Sequence, residues 1–476
     1  MRGAIKAPLI EFCSVHCYDV LLEKGSIMNL CMFTESLKNH KKFLFFLFIF
    51  SAVLRLSALL FYFQYNPCMT MFDAGHYHAL AQSILHSFEF TGADGASYFY
   101  RLPGYPFFLA IIYFFAGVNP VIALAIQGFI ASVIPVLIFF LGRILFPTTV
   151  MVAYGSSLLV AMHIGYVIYA NLIMAETLFC IFFLFFLIFF YRKKFLFAGL
   201  MLGIASLIRP VGQYVLVVAL GLRLLECNRS WRNYLRNALM FFAGWIAVAG
   251  WWLVRNYVLT GMFIFHTLSG PHFLNHSAVR LAMAHDHISY TQAKELVQEQ
   301  ANLALADAEN KQKKSLNQAQ ESAIMERVAL QYFKKNWMQS FKHCAINIFK
   351  TTFSLYSSEL LVIEQHGKLP AYEEHRSLKL MIKRFLFPEV KNPFIRFFIY
   401  YELVLWIFVL IGFLGYGISS LFYSAWFGNV IRLMPFILLF LVLSCACGFA
   451  RLRLPVEHFL TMLAMAFWVN VLRIKK

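Results

Sequence analysis

The chain has 476 residues, of which 61% are hydrophobic and only 13% charged, and it carries a formal charge of +18. Soluble domains carry roughly 25% charged residues, so this composition, with its many long apolar runs, excludes an ordinary soluble protein and indicates a polytopic membrane protein. The basic residues gather at the ends of apolar runs, as the positive-inside rule expects, and no nucleic-acid partner is needed to explain them.

The nine cysteines show no zinc spacing. Cys13 and Cys17 lack a second pair of ligands, and Cys445 and Cys447 lie in an apolar run as packing residues. Cys68 and Cys344 are expected on the same aqueous side, but sequence gives no distance on which to argue a disulfide. Residues 1–42 form a cytoplasmic N-terminal segment rather than a signal peptide, because the first apolar run, near Phe43, is long enough to span. Met28 is an alternative start that would leave Lys38, Lys41 and Lys42 as an anchor close to the N-terminus.

An N-terminal transmembrane module is expected over 43–259. Residues 43–65 span outward, and 66–104 form a first outer loop holding Asp73, His76, Tyr77, His78 and Arg101. Residues 105–117 are too short to cross and read as an interfacial or re-entrant helix. Residues 118–141 return to Arg143, 149–169 go outward, and 172–191 come back to Arg192-Lys-Lys194, leaving Asn171 and Glu176 near the outer face. Residues 195–225 are apolar but interrupted by Arg209-Pro210, with basic flanks on both sides. They must enter and return, with Arg209 near the tip. Residues 241–258 carry Trp251-Trp252 and Arg255-Asn256 to the outer face.

Residues 260–393 form a partly helical extracytoplasmic region. Within it, 291–335 read as soluble helix, and 337–356 as a helix able to lie on the membrane surface. Residues 394–476 hold the last transmembrane helices, with Arg451, Arg453, Glu457 and His458 on an outer link. The expected fold is therefore all-α and polytopic, with about ten transmembrane helices, interfacial helices and extracytoplasmic loops. Charged residues from distant positions meet at one membrane face, where burial of charge is costly and marks function by default.

Six pieces in this order resemble one family: Asp73 with Tyr77 and Ala79-Leu80-Ala81; Arg101-Leu-Pro-Gly-Tyr-Pro106; Ala175-Glu176-Thr-Leu-Phe179; Gly203-Ile-Ala-Ser-Leu-Ile-Arg-Pro210; Arg255-Asn-Tyr257 with Gly261; and Arg451-Leu-Arg-Leu-Pro455. The chain resembles the GT-C-type membrane glycosyltransferases of the bacterial dolichyl-phosphate-mannose-protein mannosyltransferase and aminoarabinose-transferase type. The resemblance implies inverting transfer of a sugar from a polyprenyl-phosphate donor to an envelope lipid, glycan or protein acceptor. It implies a place in the cytoplasmic membrane with the active site facing outward. It carries the catalytic acids onto Asp73 and Glu176. Relatives often place two acids in the first loop, whereas here Ala74-Gly75-His76 follows Asp73, which leaves a divalent cation optional.

Transfer to a hydroxyl needs a base, and Asp73 is the first candidate, although an Asp before a helical stretch also serves as an N-cap. The leaving lipid phosphate needs cations, for which Arg101, Arg209, Arg255, Arg451 and Arg453 are candidates, each of them otherwise an interfacial anchor. Tyr77, Asn256 and Glu457 complete the substrate-binding set. On a helix Asp73 and His76 share a face but His78 does not, which leaves too few ligands for a metal, and Trp251-Trp252 read as an aromatic belt. No nucleotide-binding fingerprint is present, which fits a donor activated by lipid phosphate. A lipid-linked-sugar flippase would show paired broken helices, and only one broken segment is visible. A glycan polymerase is the other alternative, and would rely on paired arginines in large outer loops.

Overall fold

A computed structural model describes residues 26–63, 73–92, 95–225, 231–335, 337–357, 359–360, 390 and 392–474. Cys13, Cys17 and Cys68 lie outside the described residues. Apart from one isolated bridge between Thr91 and Ser97, the described elements are helical.

The first helices are α1 (Ser26–Phe63), α2 (Ala74–Ser87), α3 (Gly104–Ala116), α4 (Pro120–Ala131), α5 (Val133–Leu145), α6 (Val150–Ala161) and α7 (Ile164–Ala170). Next come α8 (Glu176–Tyr191), α9 (Phe195–Ile208), α10 (Val211–Leu225) and α11 (Trp231–Thr260). A π-turn at Phe273–Ala278 leads into α12 (Val279–Asp286), then α13 (Tyr290–Gln312), α14 (Gln318–Lys335) and α15 (Trp337–Phe353). The chain closes with α16 (Pro393–Ser420), α17 (Ser424–Leu443) and α18 (Glu457–Ile474).

Six spans are long and apolar enough to cross a membrane among the described residues, or seven if the α6–α7 pair, bent by 51°, is one span. α3, α8, α9 and α10 are apolar but hold only 13 to 16 residues. At 1.5 Å per residue such helices reach about 20–24 Å, short of a hydrocarbon core of about 30 Å. The expected ten spans thus divide into full crossings and shorter helices buried among them.

Local sequence sets these ends. Asn119 accepts hydrogen bonds from the Val121 and Ile122 amides, with Pro120 at the first helical position of α4. Gly117 closes α3 at φ +73°, where a side chain would be strained. His163 interrupts the α6–α7 span in an extended conformation, its ring accepting from the Gly165 amide. Pro210 does the same between α9 and α10, and Arg209 before it is extended at φ −138°, ψ 140°.

α8 is the axis of the bundle, buried on nearly all sides. Phe183 and Phe186 pack on Phe436 of α17, and Phe186 on Phe241 of α11. α9 lies directly against α11: a Cβ at Gly199 would collide with the Phe241 carbonyl and come within 2.9 Å of the Trp245 nitrogen.

Helices α12 to α14 form a separate small core of Leu274, Val279, Val297, Ala301, Val328 and Tyr332. This cap docks on the first loop: the Thr267 amide donates to the Phe99 carbonyl at 2.9 Å, and the Phe99 amide to Gln318 Oε1 at 3.3 Å. α15 is inside-out. Its buried residues are Ser340, Asn347 and Thr351, while Trp337, Phe341 and Phe349 are exposed. That distribution suits a helix whose apolar face meets lipid, as its sequence suggests. Cys344 on this helix is hydrogen-bonded to Cys445.

Candidate active site

The polar centre lies where α2, α8, the α9–α10 break and the link before α18 meet. Asp73 stands at the N-terminus of α2, but its side chain makes no capping bond. Arg101 donates to Asp73 Oδ1 at 2.5 Å, and Arg451 lies 3.6 Å from Oδ2. The capping alternative therefore gives way to an ion-paired carboxylate. Burial pushes the Asp73 carboxyl up, but Arg101, Arg451 and Arg209, with His76, outweigh it and hold the group below its ordinary value.

Arg101 lies between the rings of Tyr100 and Tyr77, 4.8 and 5.7 Å from their centroids. Tyr77 rests edge-on against Tyr105, and burial raises its hydroxyl to about 12, so it stays a neutral donor. Tyr105 in turn donates to Gln127 Oε1 at 2.7 Å. The Gln127 amide donates to the carbonyls of Tyr169, Ala170 and Leu172. One buried glutamine thus fixes the α7–α8 turn and, with it, the start of α8.

Glu176 opens α8, where the helix dipole favours an acid. It is ion-paired with Arg209, which the proline break presents at the end of α9. Arg451 sits in the short turn Ala450–Leu452; burial disfavours its charge, but Asp73 and Glu176 outweigh that and raise its pKa. The structure therefore brings together Asp73, Tyr77, Arg101, Glu176, Arg209 and Arg451, from five separate stretches of sequence. Three guanidiniums face the two carboxylates that pair with them, a net positive centre suited to an added anion.

The other candidates lie elsewhere. Arg255 donates to Asn256 Oδ1 and the Phe90 carbonyl, and its guanidinium lies 4.5 Å from the Trp252 ring. Asn256 donates to the Ile264 and Phe265 carbonyls. The pair ties the outer end of α11 to the first loop and to the chain that follows α11. Arg453 spends its donors on Glu457, at 2.5 Å, and on the Thr351, Thr352 and Ser354 carbonyls. Glu457 also accepts from the Tyr356 hydroxyl at 3.0 Å, and His163 lies 3.9 Å away. Both residues of the Arg453–Glu457 pair are 1% exposed, and the pair locks α15 to α18.

His76 is hydrogen-bonded to the Tyr98 hydroxyl and His78 to that of Tyr113. No three His, Cys, Asp or Glu side chains converge among the described residues. Asp73 and Glu176 are both engaged by arginine, so this donor set does not fit a divalent cation.

Sequence reasoning passed over three ionisable residues. Glu359 receives a hydrogen bond from the Tyr169 hydroxyl at 3.1 Å, and Arg451 and Glu176 both act on its charge. Glu402, inside a span, accepts from the Tyr356 and Ser357 amides at 2.6 and 2.7 Å. Arg55, fully buried in the first span, donates to the Ser51 hydroxyl and carbonyl. Each carried a signal: a lone charge inside or beside an apolar run.

No family model matches the chain, and no curated protein does. Among solved structures it is similar to ArnT from Cupriavidus metallidurans in the apo state, at 13% identity and a TM-score of 0.36, over 87% of this chain and 76% of that one. It is also similar to ArnT from the same organism bound to undecaprenyl phosphate, at 14% identity and a TM-score of 0.38, over 88% and 77%. At this TM-score the likeness carries no argument about the site.

Proposed function

We propose that the chain is an integral membrane glycosyltransferase that moves a sugar from a polyprenyl-phosphate donor to an acceptor outside the cytoplasmic membrane of a bacterium. The observation that carries this reading is the net positive centre built from Arg101, Arg209 and Arg451 around Asp73 and Glu176. A phosphate that leaves as a sugar departs gains negative charge, and preorganised guanidiniums stabilise that charge in the transition state. Basic residues at the opposite helix ends, Arg192-Lys-Lys194 and Arg232 with Arg236, support an outward-facing site.

In this mechanism the acceptor oxygen attacks the anomeric carbon as the bond to the lipid phosphate breaks, with inversion. Arg101 and Arg451 take the phosphate, and Asp73 holds both in register. Glu176 does the same for Arg209. Asp73, already bonded to arginine and held ionised, is better suited to orienting than to receiving a proton. Membranes holding wild type, Asp73→Asn or Asp73→Ala at matched levels would be given radiolabelled polyprenyl-phosphate sugars. Transfer by wild type and a loss of at least about 100-fold in both variants is the expected result. Wild-type rates in both variants would remove Asp73 from the mechanism, and no transfer from any donor by wild type would overturn the glycosyltransferase reading.

A further inference from the structure

α15 and the link before α18 lie side by side. Asn347 of α15 donates to the Cys445 carbonyl at 2.7 Å. Further along, a Cβ at Gly448 would come within 2.6 Å of the Lys350 Cβ and 2.8 Å of the Asn347 carbonyl oxygen. Arg453 then donates to the Thr351 carbonyl at 2.7 Å. Helix and link advance together from one contact to the next, which fixes their register. At the start of this seam stand two cysteines, Cys344 and Cys445, whose thiols are hydrogen-bonded to each other.

The pair is both close and reachable. Cys344 and Cys445 are each partly exposed. Two further cysteines differ: Cys180 is buried in α8, and Cys447 is buried with its sulfur 3.3 Å from His272 Nε2. Thiols within hydrogen-bonding reach lie inside the separation that a disulfide can close, with an S–S bond of about 2.05 Å. The outer side of a bacterial cytoplasmic membrane is an oxidising compartment, where such bonds persist.

We propose that Cys344 and Cys445 form a disulfide that ties α15 covalently to the link carrying Arg451. Its formation in cells rests on the outward orientation of the proposed function, whereas the pairing rests on the contact alone. The oxidant is another disulfide, of a small thiol or of an extracytoplasmic oxidoreductase. The Cys344 thiolate attacks one of its sulfurs, and the old S–S bond breaks with its electron pair on the departing sulfur. The Cys445 thiolate then attacks Cys344 in the mixed disulfide and expels the second thiolate. The two protons lost by the cysteines pass to the two departing thiolates, so two thiols and one disulfide become one disulfide and two thiols.

Cys344 is the better first nucleophile. The hydrogen bond from Cys445 lowers its thiol to about 7, against burial, which raises it. The closed loop contains α16 and α17, and joining its ends removes conformational freedom from the unfolded chain. Arg451 lies on the same link, so the bond also holds the turn from which it faces Asp73.

The test uses full-length wild type, Cys344→Ser, Cys445→Ser and the double variant. Cells are quenched in acid, free thiols are alkylated, and the purified protein is digested without reductant for mass spectrometry. Purified, reduced wild type is treated in parallel with glutathione disulfide. The expected product in both arms is one peptide pair joined through Cys344 and Cys445, lighter than the two free peptides by two hydrogens and separated by dithiothreitol. Oxidised wild type should unfold several degrees above its reduced form, and the three variants should show no such shift. In the purified arm, glutathione left on Cys344, or a link from either cysteine to Cys447 or Cys68, would overturn the pairing. If both thiols are instead alkylated in cells, labelling of Lys313→Cys by an impermeant maleimide decides what fails. Labelling in intact cells would overturn the disulfide. Labelling only after permeabilisation would overturn the outward orientation, and the purified arm alone would then decide the pairing.

Discussion

Two neighbouring arginines of this molecule, Arg451 partly exposed and Arg453 buried, illustrate how context separates residues of one type. Arg451 faces Asp73 at 3.6 Å, while Arg453, two positions on, is spent on Glu457 and backbone carbonyls. Breaking a buried pair leaves an uncompensated charge and typically costs about 3–5 kcal/mol, whereas replacing both partners by apolar groups is often neutral. Arg453→Met and Glu457→Gln should therefore each lower the Tm in detergent by several degrees, and the Arg453→Met/Glu457→Leu pair should recover most of the loss. If Arg453→Met instead left the Tm intact and raised the KM for donor, Arg453 would belong with the substrate-binding arginines.

At the scale of elements, the determining device is interruption. Pro210 stops α9, and the extended Arg209 that precedes it turns its guanidinium to Glu176. The position of Arg209 also depends on how closely α9 lies on α11, since Gly199 allows backbone to approach backbone there. Gly199→Val would have to push the helices apart, because the obstacles are the Phe241 carbonyl and the Trp245 nitrogen rather than flexible side-chain ends. The expected outcome is a loss of about 1–3 kcal/mol of stability, seen as a lower Tm, and a reduced transfer rate, read by thermal unfolding and by assay. A variant with wild-type Tm would show that the two helices are not tightly packed at this point. α15 makes a second element-level point: its hydrophobic and buried faces are opposite, the distribution expected of a helix lying on a lipid surface.

At the scale of the whole molecule, a membrane bundle and a small helical cap are two cores joined over the first loop. The orientation proposed above predicts opposite exposure for two lysines. Lys313, in the turn between α13 and α14, should lie outside, and Lys194, between α8 and α9, inside. In intact cells an impermeant maleimide should label Lys313→Cys above the parent level and reach Lys194→Cys only after permeabilisation. The reverse pattern would invert the orientation and turn the polar centre to the cytoplasm.

Much of this architecture was legible locally. Hydropathy identified the membrane class, proline the break at Arg209, and helix-forming composition the cap, because each depends on neighbours a few residues apart. Asp73, Arg101, Glu176, Arg209 and Arg451 could be named as candidates because charges stand out in an apolar chain, and Tyr77 because its stretch resembles the family pattern. Their partners could not. Arg255 turns to Asn256 and a carbonyl, Arg453 turns to Glu457, and Glu359 accepts from Tyr169. Those choices depend on contacts between residues 73, 101, 169, 359 and 451, which only helix packing creates. Sequence by itself determined which charges stand within or beside apolar runs. Tertiary structure decided which of them pair, because an ion pair is set by separation in space and by the desolvation of both partners, and neither is a property of local sequence.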